Sequence, residues 1–413
     1  MKKTTNKKYN MIDLFAGCGG LVDGFEKTGN FKTLACVEWE KEPCLTLVNR
    51  LNKKWGYKNS DDLVLHFDIQ RDNELFSGWK DHKYGSNTGL DSIVGENKVD
   101  IIVGGPPCQA YSIAGRIRDD KGMKKDYRNY LFESYVKVVN RYKPKVFVFE
   151  NVFGILSAKP DGTPILNEIK KSFKDIGYEI VENIRKNVLF NVTDYGVPQN
   201  RSRVILIGLK KDVFKDPQKS LLNFYENLLP SNREKIMTVR DAIADLPPLL
   251  PLKEPTVVSG KKVSHGVVGG HLNHFPRFHN GRDISIFKEL SLDIETGENK
   301  YSSTEKLRKL YTKVTGKDSK IHKYHVINWG KPSNTIVAHL FKDGLRHIHP
   351  DSKQGRTITV REAARLQTFD DDFEFLGPIS SQYKMVGNAV PPKFANKIAG
   401  SVSLILEETL GKK

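Results

Sequence analysis

Short apolar runs in the first half of the chain alternate with segments that have the hydrophobic spacing of a helix. Apolar runs of about five residues that are rich in β-branched side chains and end abruptly predict buried strands. Strands that alternate with helices are typical of an α/β fold with a mainly parallel sheet. The predicted strands lie at residues 11–15, 32–37, 63–67, 99–103, 145–149 and 204–208, with another beginning near Tyr178.

The alternation stops after about Leu209, and the proline-rich run 246–251 indicates a change of domain. Further along, residues 334–338 and 341–348 predict a hairpin that turns at Asp343-Gly344. An amphipathic helix is predicted from Thr359 to Phe369, where Thr359 and Glu362 have the spacing of a capping box. A last helix over about 393–410 is expected to return to the first domain. We therefore predict a discontinuous domain of residues 1–210 and 380–413, and a smaller domain of residues 211–379.

The net charge favours a polyanionic partner. The sequence contains 66 Lys and Arg residues against 49 Asp and Glu residues, which gives a net charge of +17. Its length of 413 residues favours two domains. No apolar run is long enough for a membrane span, and the basic, polar N-terminus does not resemble a signal peptide, so we expect a soluble cytoplasmic protein. The four cysteines form no C-x-x-C pair, and nine of the eleven histidines follow Ser264 without zinc spacing. We therefore expect no metal site. The histidines are expected to be solvated or to face nucleic acid.

Cys108 is the first candidate for catalysis. It follows the strand 99–103 in the turn Gly104–Ser112, and ligands bind at the carboxyl edge of such sheets. The alternative is that Cys108 is a small buried hydrophobic residue, because free cysteines are often buried. The residues of the turn alone leave both interpretations open.

Further polar residues follow other predicted strands. Gly17, Gly19 and Gly20 lie in a loop after the first strand. Glu38-Trp39 follows the second strand, and Asp68 follows the third. A glycine loop with an acid about 20 residues downstream is typical of nucleotide-binding folds, in which the acid holds ribose hydroxyls. Trp39 is then suited to stacking on a base and Asp68 to a ring amino group. The alternative is a solvated Glu38 and a core Trp39.

An acid and two arginines complete the candidate site. Glu150 ends the strand 145–149 and is a candidate proton donor or hydrogen-bond partner for a heterocycle; the alternative is a helix cap. Arg201 and Arg203 are two residues apart on an extended segment, so both are expected to face the same side and to meet a phosphate or a base carbonyl. The charged loop 115–126 is interpreted either as a lid over a polyanion or as an ordinary connection.

Together these motifs resemble those of the DNA (cytosine-5)-methyltransferase family, in the family's order. The resemblance covers roughly residues 9–210 and 330–400. Tyr111 replaces the Phe that many members carry in the Pro-Cys-Gln-x-Phe-Ser motif. The matching motifs are Asp13–Gly20, Pro107-Cys108-Gln109, Glu150-Asn151-Val152, Gln199-x-Arg201-x-Arg203, Arg361–Phe369 and Gly387–Pro391.

The resemblance implies a Rossmann-like domain that uses S-adenosylmethionine, releases S-adenosylhomocysteine and acts on a cytosine flipped out of duplex DNA. The catalytic residues would be Cys108, Glu150, Arg201 and Arg203. The residues implied to line the cofactor pocket are Phe15, Gly17, Gly20, Glu38, Trp39, Asp68, Ile69, Gly105, Pro107, Leu131 and Asn388. The candidate DNA contacts are Gln109, Ser112, Arg116, Arg118 and Lys121. In this family a variable region, here about 250–330 in an irregular domain with β-structure, recognises the target sequence.

We therefore predict a bacterial, nucleoid-associated DNA cytosine-5 methyltransferase that is the modification partner of a restriction system. It is expected to act as a monomer, with any cognate endonuclease acting separately. Two alternatives remain at this point: an RNA methyltransferase resembling the tRNA-aspartate enzymes, and a DNA-binding repressor with a vestigial fold. The longer variable region and the absence of a Cys-x-Thr signature disfavour the first, and the intact set of candidate catalytic residues disfavours the second.

Overall fold

The computed structural model describes residues 8–107, 131–159, 162–318, 324–342 and 344–409. The chain divides into two compact units, which we call the first unit (Met1–Tyr195, Ser202–Lys235 and Val390–Lys413) and the second unit (Gly196–Arg201 and Ile236–Ala389). Three segments differ from the predicted domains: residues 196–201 and 380–389 belong to the second unit, and residues 211–235 belong to the first. The assignment of a catalytic and a target-recognition domain stays a prediction.

A mostly parallel sheet forms the centre of the first unit. The strands of the described residues are β1 Tyr9–Leu14, β2 Phe31–Glu38, β3 Val64–His66, β4 Trp79–Asp81, β5 Gly85–Asn87, β6 Ile101–Gly104, β7 Val146–Val152, β8 Tyr178–Ile180, β9 Leu189–Asn191, β10 Ser202–Lys210, β11 Pro251–Val258 and β12 Lys261–His265. The central sheet has the strand order β3-β2-β1-β6-β7-β10-β8, with β9 paired to β10. Strands β3, β2, β1, β6 and β7 run parallel, and β10 runs antiparallel to β7, β8 and β9. The predicted α/β class is confirmed.

The central strands are almost continuous apolar runs, and every residue of β6 is buried, as expected for a sheet whose two faces are covered. Gly24 lets the last helix of the chain approach the first one, because a Cβ at Gly24 would lie 2.4 Å from Ala395 Cβ and 2.6 Å from Pro392 O. The α-helices of the first unit are Gly20–Glu26, Lys41–Lys53, Ser60–Leu63, Asp72–Ser77, Leu90–Val94, Leu131–Tyr142, Ile165–Asp175, Ile184–Asn187, Pro217–Asn223 and Pro392–Glu407.

The strand order reverses between β1 and β6. From β1 the chain moves outward through β2 to β3, and it then returns to the other side of β1 as β6 and continues to β7. In open parallel sheets, such a reversal opens a crevice at the carboxyl ends of the two central strands, and ligands bind there. The turns after β1 and β6 are therefore the expected position of a ligand site.

The second unit combines an antiparallel ribbon, β11–β12, with helices. One of its apolar clusters is built around Phe287, Leu290 and Ile348. Within the described ranges, no helix is long and apolar enough to cross a membrane. The α-helices of this unit are Val239–Ile243, Gly281–Thr296, Thr304–Thr315, Val360–Leu366 and Ile379–Asn388.

The hairpin predicted for residues 334–348 is wrong. Ala338–Phe341 forms a 3-10 helix, and Ile348 makes isolated bridges to Val326 and Thr357 instead. The backbone of this segment is satisfied elsewhere: the Ile336 N–H donates to Gln199 Oε1 at 2.8 Å. A hydrogen bond to a side chain distant in sequence thus takes the place of the backbone hydrogen bond that a paired hairpin strand would have supplied.

The expectation of solvated or nucleic-acid-facing histidines is also wrong for five of them. Four of these rings have partners inside the second unit: His265 Nε2, for example, lies 2.8 Å from Gln354 O, and His274 contacts Thr359 Oγ1 and Pro247 O, both at 3.0 Å. Because these rings are hydrogen-bonded, they can be buried as neutral groups. His347 differs, since neither of its ring nitrogens has a hydrogen-bond partner among the described residues. The buried histidines are His265, His274, His279, His347 and His349.

Candidate functional site

The predicted site residues of the first unit gather at one edge of the sheet. Four neighbouring parallel strands, β3, β2, β1 and β6, end there and are followed by predicted cofactor residues. Glu150 lies on β7, the next strand, and Arg203 lies at the start of antiparallel β10, with its Cα paired to Val152. Strand direction and order therefore bring these residues to the same edge.

The glycine loop after β1 is tied to the end of β2 by Glu38. The Gly17 N–H donates to Glu38 Oε2 at 2.8 Å, and the N–H groups of Trp39 and Glu40 donate to Oε1, both at 2.9 Å. Burial raises the pKa of Glu38 to about 7, although these N–H groups oppose the shift. Phe15 has a φ of 58°, which is strained for a bulky side chain. Such strain is typical of functional loops.

Gly17 leaves room for a ligand. Its φ is +55°, and a Cβ built on it would meet no heavy atom within 4 Å. Gly20, by contrast, is buried as the first residue of the helix Gly20–Glu26.

Asp13 on β1 is a candidate site residue that the sequence analysis missed. Its side chain is completely buried, and neither carboxyl oxygen has a hydrogen-bond partner among the described residues. Burial, and secondarily the nearby Glu38, holds the pKa of Asp13 well above its usual range. The available signals were its charge inside the apolar run Met11–Phe15 and its place at the start of the motif Asp13–Gly20. An unpartnered buried carboxyl here calls for a ligand that brings a donor or a positive charge.

The ends of β2 and β3 present an exposed ring beside polar groups. The Trp39 side chain is 48% exposed, which contradicts a core position. Asp68 is half-buried, with Oδ1 accepting from the Gln70 N–H at 3.1 Å, and Ile69 is buried. Leu131, at the start of the helix Leu131–Tyr142, is also buried.

The turn after β6 is held against β7. A Cβ on Gly105 would lie only 2.6 Å from Glu150 Oε2, so only glycine allows this approach. The Asn151 side-chain amide donates to the Pro106 carbonyl at 3.3 Å. Pro107, the last described residue of the turn, is half-buried. Cys108, Gln109, Ser112, Arg116, Arg118 and Lys121 lie outside the described residues.

Glu150 and Arg203 form an ion pair at the edge. Arg203 Nε lies 2.8 Å from Glu150 Oε1, and each side chain is 12% exposed. Burial lowers the pKa of the Arg203 guanidinium, and Glu150 opposes this shift. Because Glu150 Oε2 faces Gly105, the pair connects the β6 turn with β10.

Arg201 and Asn388 lie in the second unit. The Arg201 guanidinium is buried and donates to the carbonyls of Ile336, Gly387 and Ala389 at 2.8, 3.1 and 3.0 Å. Arg201 and Arg203 therefore have different partners, although both were expected to face the same side. Asn388 is exposed at the end of the helix Ile379–Asn388.

The described cysteines are poor candidates for a nucleophile. Cys18, Cys36 and Cys44 are buried, and burial raises the pKa of each thiol. Since the thiolate is the reactive form, none of the three is activated. Among the described residues, no group of three or more His, Cys, Asp or Glu is arranged to hold a metal ion.

Comparison with known proteins identifies the family. Residues 9–403 match the family described as C-5 cytosine-specific DNA methylase. A type II methyltransferase of Bacillus paralicheniformis, M.Bpa9945I, is 36% identical over 96% of this chain and 99% of its own. M1.HphI of Haemophilus parahaemolyticus, also a type II methyltransferase, is 32% identical over 95% of this chain and 86% of its own.

Solved structures share the fold. A proposed DNA modification methyltransferase encoded in an E. coli prophage superposes with a TM-score of 0.62 at 24% identity, covering 97% of this chain and 100% of its own. The S. pombe Dnmt2 methyltransferase gives a TM-score of 0.55 at 14% identity, covering 97% of this chain and 99% of its own. The confirmed fold is thus that of known methyltransferases. The chain belongs to the C-5 cytosine-specific DNA methylase family and is a DNA (cytosine-5)-methyltransferase.

Proposed function

We propose that this enzyme transfers a methyl group from S-adenosylmethionine to carbon 5 of a cytosine flipped out of a specific duplex DNA sequence, through a covalent Cys108 adduct at carbon 6. The observation that carries the proposal is the Glu150–Arg203 pair, which lies against the Gly105–Pro107 turn that leads directly to Cys108. A carboxylate, a guanidinium and the chain segment that precedes Cys108 thus lie at the sheet edge where ligands bind.

The residues at the ends of β1, β2 and β3 fit the proposed methyl donor. Glu38 would accept from ribose hydroxyls with the acceptor capacity left by its backbone contacts, Trp39 would stack on adenine, and Asp68 would accept from the adenine amino group. The carboxyl of Asp13, which has no hydrogen-bond partner in the described part of the chain, fits a ligand with a positive charge, and the open side of Gly17 admits one closely. The remaining proposed pocket residues are Phe15, Gly20, Ile69, Gly105, Pro107, Leu131 and Asn388. The bound donor supplies an electrophilic methyl group.

The protein's own residues activate the cytosine. The Cys108 thiolate forms a bond to carbon 6, and the electrons of the C5–C6 double bond move into the ring toward N3. Glu150 hydrogen-bonds or protonates N3, and Arg203 holds the ring carbonyl, so both stabilise the charge that develops. Carbon 5 then becomes nucleophilic. After methyl transfer, which would leave S-adenosylhomocysteine, loss of the carbon-5 proton to water reforms the C5–C6 double bond and expels Cys108 as its thiolate. Any proton on N3 returns to Glu150.

Arg201 supports the site indirectly in this proposal. Its three donors connect the turn before β10 to Ile336 and to the Gly387 and Ala389 carbonyls. Arg201 would thus brace the segment Gly196–Arg201, which precedes β10 in the chain.

DNA binding in this proposal involves two regions. Because carbon 6 is inaccessible inside a duplex, the base must flip, and Gln109, Ser112, Arg116, Arg118 and Lys121 would contact the opened duplex. The second unit would recognise the sequence. Its β11 is mostly exposed, and Lys262 on β12 stacks over Phe278 at 4.7 Å. A two-stranded ribbon of this kind fits the major groove of DNA.

We propose monomeric action, since modifying one base on one strand requires no two-fold symmetry. The similar type II methyltransferases are bacterial, and we infer action on chromosomal DNA in the cytoplasm, with any cognate endonuclease acting separately.

Methyl transfer to defined substrates tests the proposed function. The purified protein is incubated with tritiated S-adenosylmethionine and either duplex DNA or tRNA, beside Cys108→Ala. We expect label in DNA and none in tRNA, and no transfer by the variant. Expression in a methylation-free host, followed by genome-wide mapping of 5-methylcytosine, gives the target sequence. Equal transfer by Cys108→Ala would exclude the covalent mechanism, and transfer to tRNA alone would exclude DNA as the substrate.

A further inference from the structure

A hairpin beside the cofactor edge has no role in the function proposed above. β4 and β5 pair as a small antiparallel sheet separate from the central one. The hairpin packs on the segment that follows β3: Trp79 stacks on Phe67 with ring centroids 3.9 Å apart, and Tyr84 meets Phe67 edge-on at 5.2 Å. The segment that it covers continues directly into Asp68 and Ile69.

The hairpin turn is held in a defined geometry. The Tyr84 N–H donates to Asp81 Oδ1 at 2.6 Å, and Asp81 Oδ2 pairs with Arg71 Nη1 at 2.5 Å. The Trp79 indole N–H donates to the Tyr84 carbonyl at 3.2 Å. Side chains of β4 therefore hold both the N–H and the carbonyl of Tyr84, which fixes the backbone that carries its ring.

A chain of contacts leads from this ring to Trp39. Tyr84 meets the ring of His66 edge-on, with centroids 5.1 Å apart. His66 Nε2 lies 3.1 Å from the Trp39 carbonyl. Because a carbonyl only accepts, Nε2 must carry the proton of this hydrogen bond.

Both backbone polar groups of Trp39 are thereby anchored. Its N–H donates to Glu38 and its carbonyl accepts from His66. Its indole makes no ring contact with another described residue and is 48% exposed. The position of the indole is thus set by its backbone, and one of the two anchors depends on His66.

We propose that the β4–β5 hairpin is a cofactor-positioning element, which acts through Tyr84 and His66 to hold the Trp39 indole where the adenine of the methyl donor stacks. The inference rests on the proposed function. His66 and Tyr84 are positioning residues in this proposal, because they act through Trp39 and contact no reacting atom. Loosening them weakens adenine binding without changing the chemical step, so KM for the donor rises while kcat stays constant.

Binding of S-adenosylhomocysteine and of adenosine, measured by calorimetry, tests this role. We expect His66→Ala to weaken both ligands about 5- to 20-fold, since both carry the adenine, and to raise KM with kcat within about twofold of native. His66→Gln retains a donor and restores much of the affinity. His82→Ala is the matched control, because His82 is an exposed histidine in the turn of the same hairpin and leaves affinity unchanged. Tyr84→Ala weakens binding, whereas Tyr84→Phe, which keeps the ring, does not.

A double-mutant cycle with Trp39→Ala separates positioning from general damage to the fold. If His66 acts through Trp39, His66→Ala has no further effect on affinity once the indole is gone. A full-size effect in that background, or unchanged affinity of soluble His66→Ala, would overturn the inference while leaving the proposed function intact. If native protein binds neither S-adenosylmethionine nor S-adenosylhomocysteine, the proposed function fails and this role fails with it. Should His66→Ala not fold, the Tyr84→Ala and Tyr84→Phe pair decides the question.

Discussion

At the scale of single residues, the missing side chain of Gly105 determines where the carboxylate of Glu150 can lie. Glu150 Oε2 lies only 2.6 Å from the position that a Cβ on Gly105 would take. Its other oxygen meets Arg203 at 2.8 Å, so the carboxylate cannot swing aside without leaving its cation. Glycine at this position thus fixes the acid between the β6 turn and β10.

Gly105→Ala should therefore impair catalysis much more than folding. The added methyl group, 2.6 Å from Glu150 Oε2, pushes the carboxylate off Arg203. Since a misplacement of about 1 Å can cost roughly 100-fold in rate, we expect kcat/KM to fall by about 10- to 100-fold. Steady-state methylation assays and thermal melting measure the two effects.

Gly400→Ala is the matched control for this substitution. Gly400 lies in the helix Pro392–Glu407, and a Cβ there meets no heavy atom within 4 Å. Alanine favours a helix over glycine, so activity should be native and stability equal or slightly higher. Native kcat/KM for Gly105→Ala would show that Glu150 does not need the observed position.

At the scale of elements, the helix Val360–Leu366 shows what local sequence can and cannot reveal. The predicted capping box is confirmed: the Glu362 N–H donates to Thr359 Oγ1, and Glu362 Oε2 accepts from the Thr359 N–H at 2.7 Å. The sequence did not indicate that Arg356 also holds this carboxylate, with contacts of 2.7 and 2.6 Å. Both charged groups are 1% exposed.

Removing one member of this buried pair should destabilise the second unit strongly. Arg356→Met leaves Glu362 charged and buried without its cation, which costs about 3–5 kcal/mol. Arg356→Met/Glu362→Gln should recover part of this loss, because the neutral amide leaves no buried charge and still serves the cap. The midpoint of urea-induced unfolding, followed by circular dichroism, compares the variants.

Arg282→Met makes the same chemical change at an exposed pair with Asp283 and should alter stability by no more than about 0.5 kcal/mol. If the single variant at Arg356 were as stable as this control, the buried pair would contribute nothing to the unit. If the double variant were no better than the single one, the cost would come from lost packing instead of lost charge.

Elements held by interactions between residues close in sequence were predicted correctly, whereas elements held by residues distant in sequence were not. The strands of the parallel sheet were predicted because burial on both faces requires a continuous apolar run, as in Ile101–Gly104. The hairpin at 334–348 was wrong because Gln199, more than 130 residues away, binds the Ile336 N–H. The β4–β5 hairpin was missed because its strands are only three residues long and rely on rings packing against Phe67.

The same distinction holds for the site. The motif positions at strand ends were predicted, because a parallel strand that ends in a polar residue places it at a known edge. The partners of Arg201 and Arg203 were not, since they depend on which distant segments pack together. Asp13 stood out as the start of the motif Asp13–Gly20 and as a charge within an apolar run, but neither feature indicated a buried carboxyl without a partner among the described residues.

At the scale of the whole molecule, the two units contain buried groups with opposite responses to pH. In the first unit, burial raises the pKa of Glu38 to about 7. Its contribution to stability is fully present below its unfolded-state value and is lost as pH rises through about 7. In the second unit, burial lowers the pKa of His265 to about 4 and that of His279 and His347 to about 3.

The histidine geometry agrees with neutral rings. The Thr357 N–H donates to His279 Nε2 at 3.3 Å, and the Asp351 N–H donates to His349 Nδ1 at 3.2 Å. Those nitrogens must be acceptors, so protonation would set two donors against each other. Arg356 lies close enough to oppose a positive charge on His265, His279 and His349.

We therefore expect mild acid to destabilise the second unit before the first. A histidine with a lowered folded-state pKa contributes stability above its unfolded value of about 6.5, and this stability is lost as pH falls. Between pH 7 and 5 the loss is roughly 2 kcal/mol for each such ring, while Glu38 changes in the stabilising direction.

Hydrogen exchange followed by mass spectrometry, corrected for intrinsic rates, should show amides of residues 236–389 losing protection first. His265→Gln retains a donor to the Gln354 carbonyl but cannot titrate. The free energy that the second unit loses between pH 7 and 5 should therefore be smaller in this variant, by about the contribution of one histidine ring. Simultaneous loss of protection in both units, or unchanged acid sensitivity in this variant, would show that the buried histidines do not set the response.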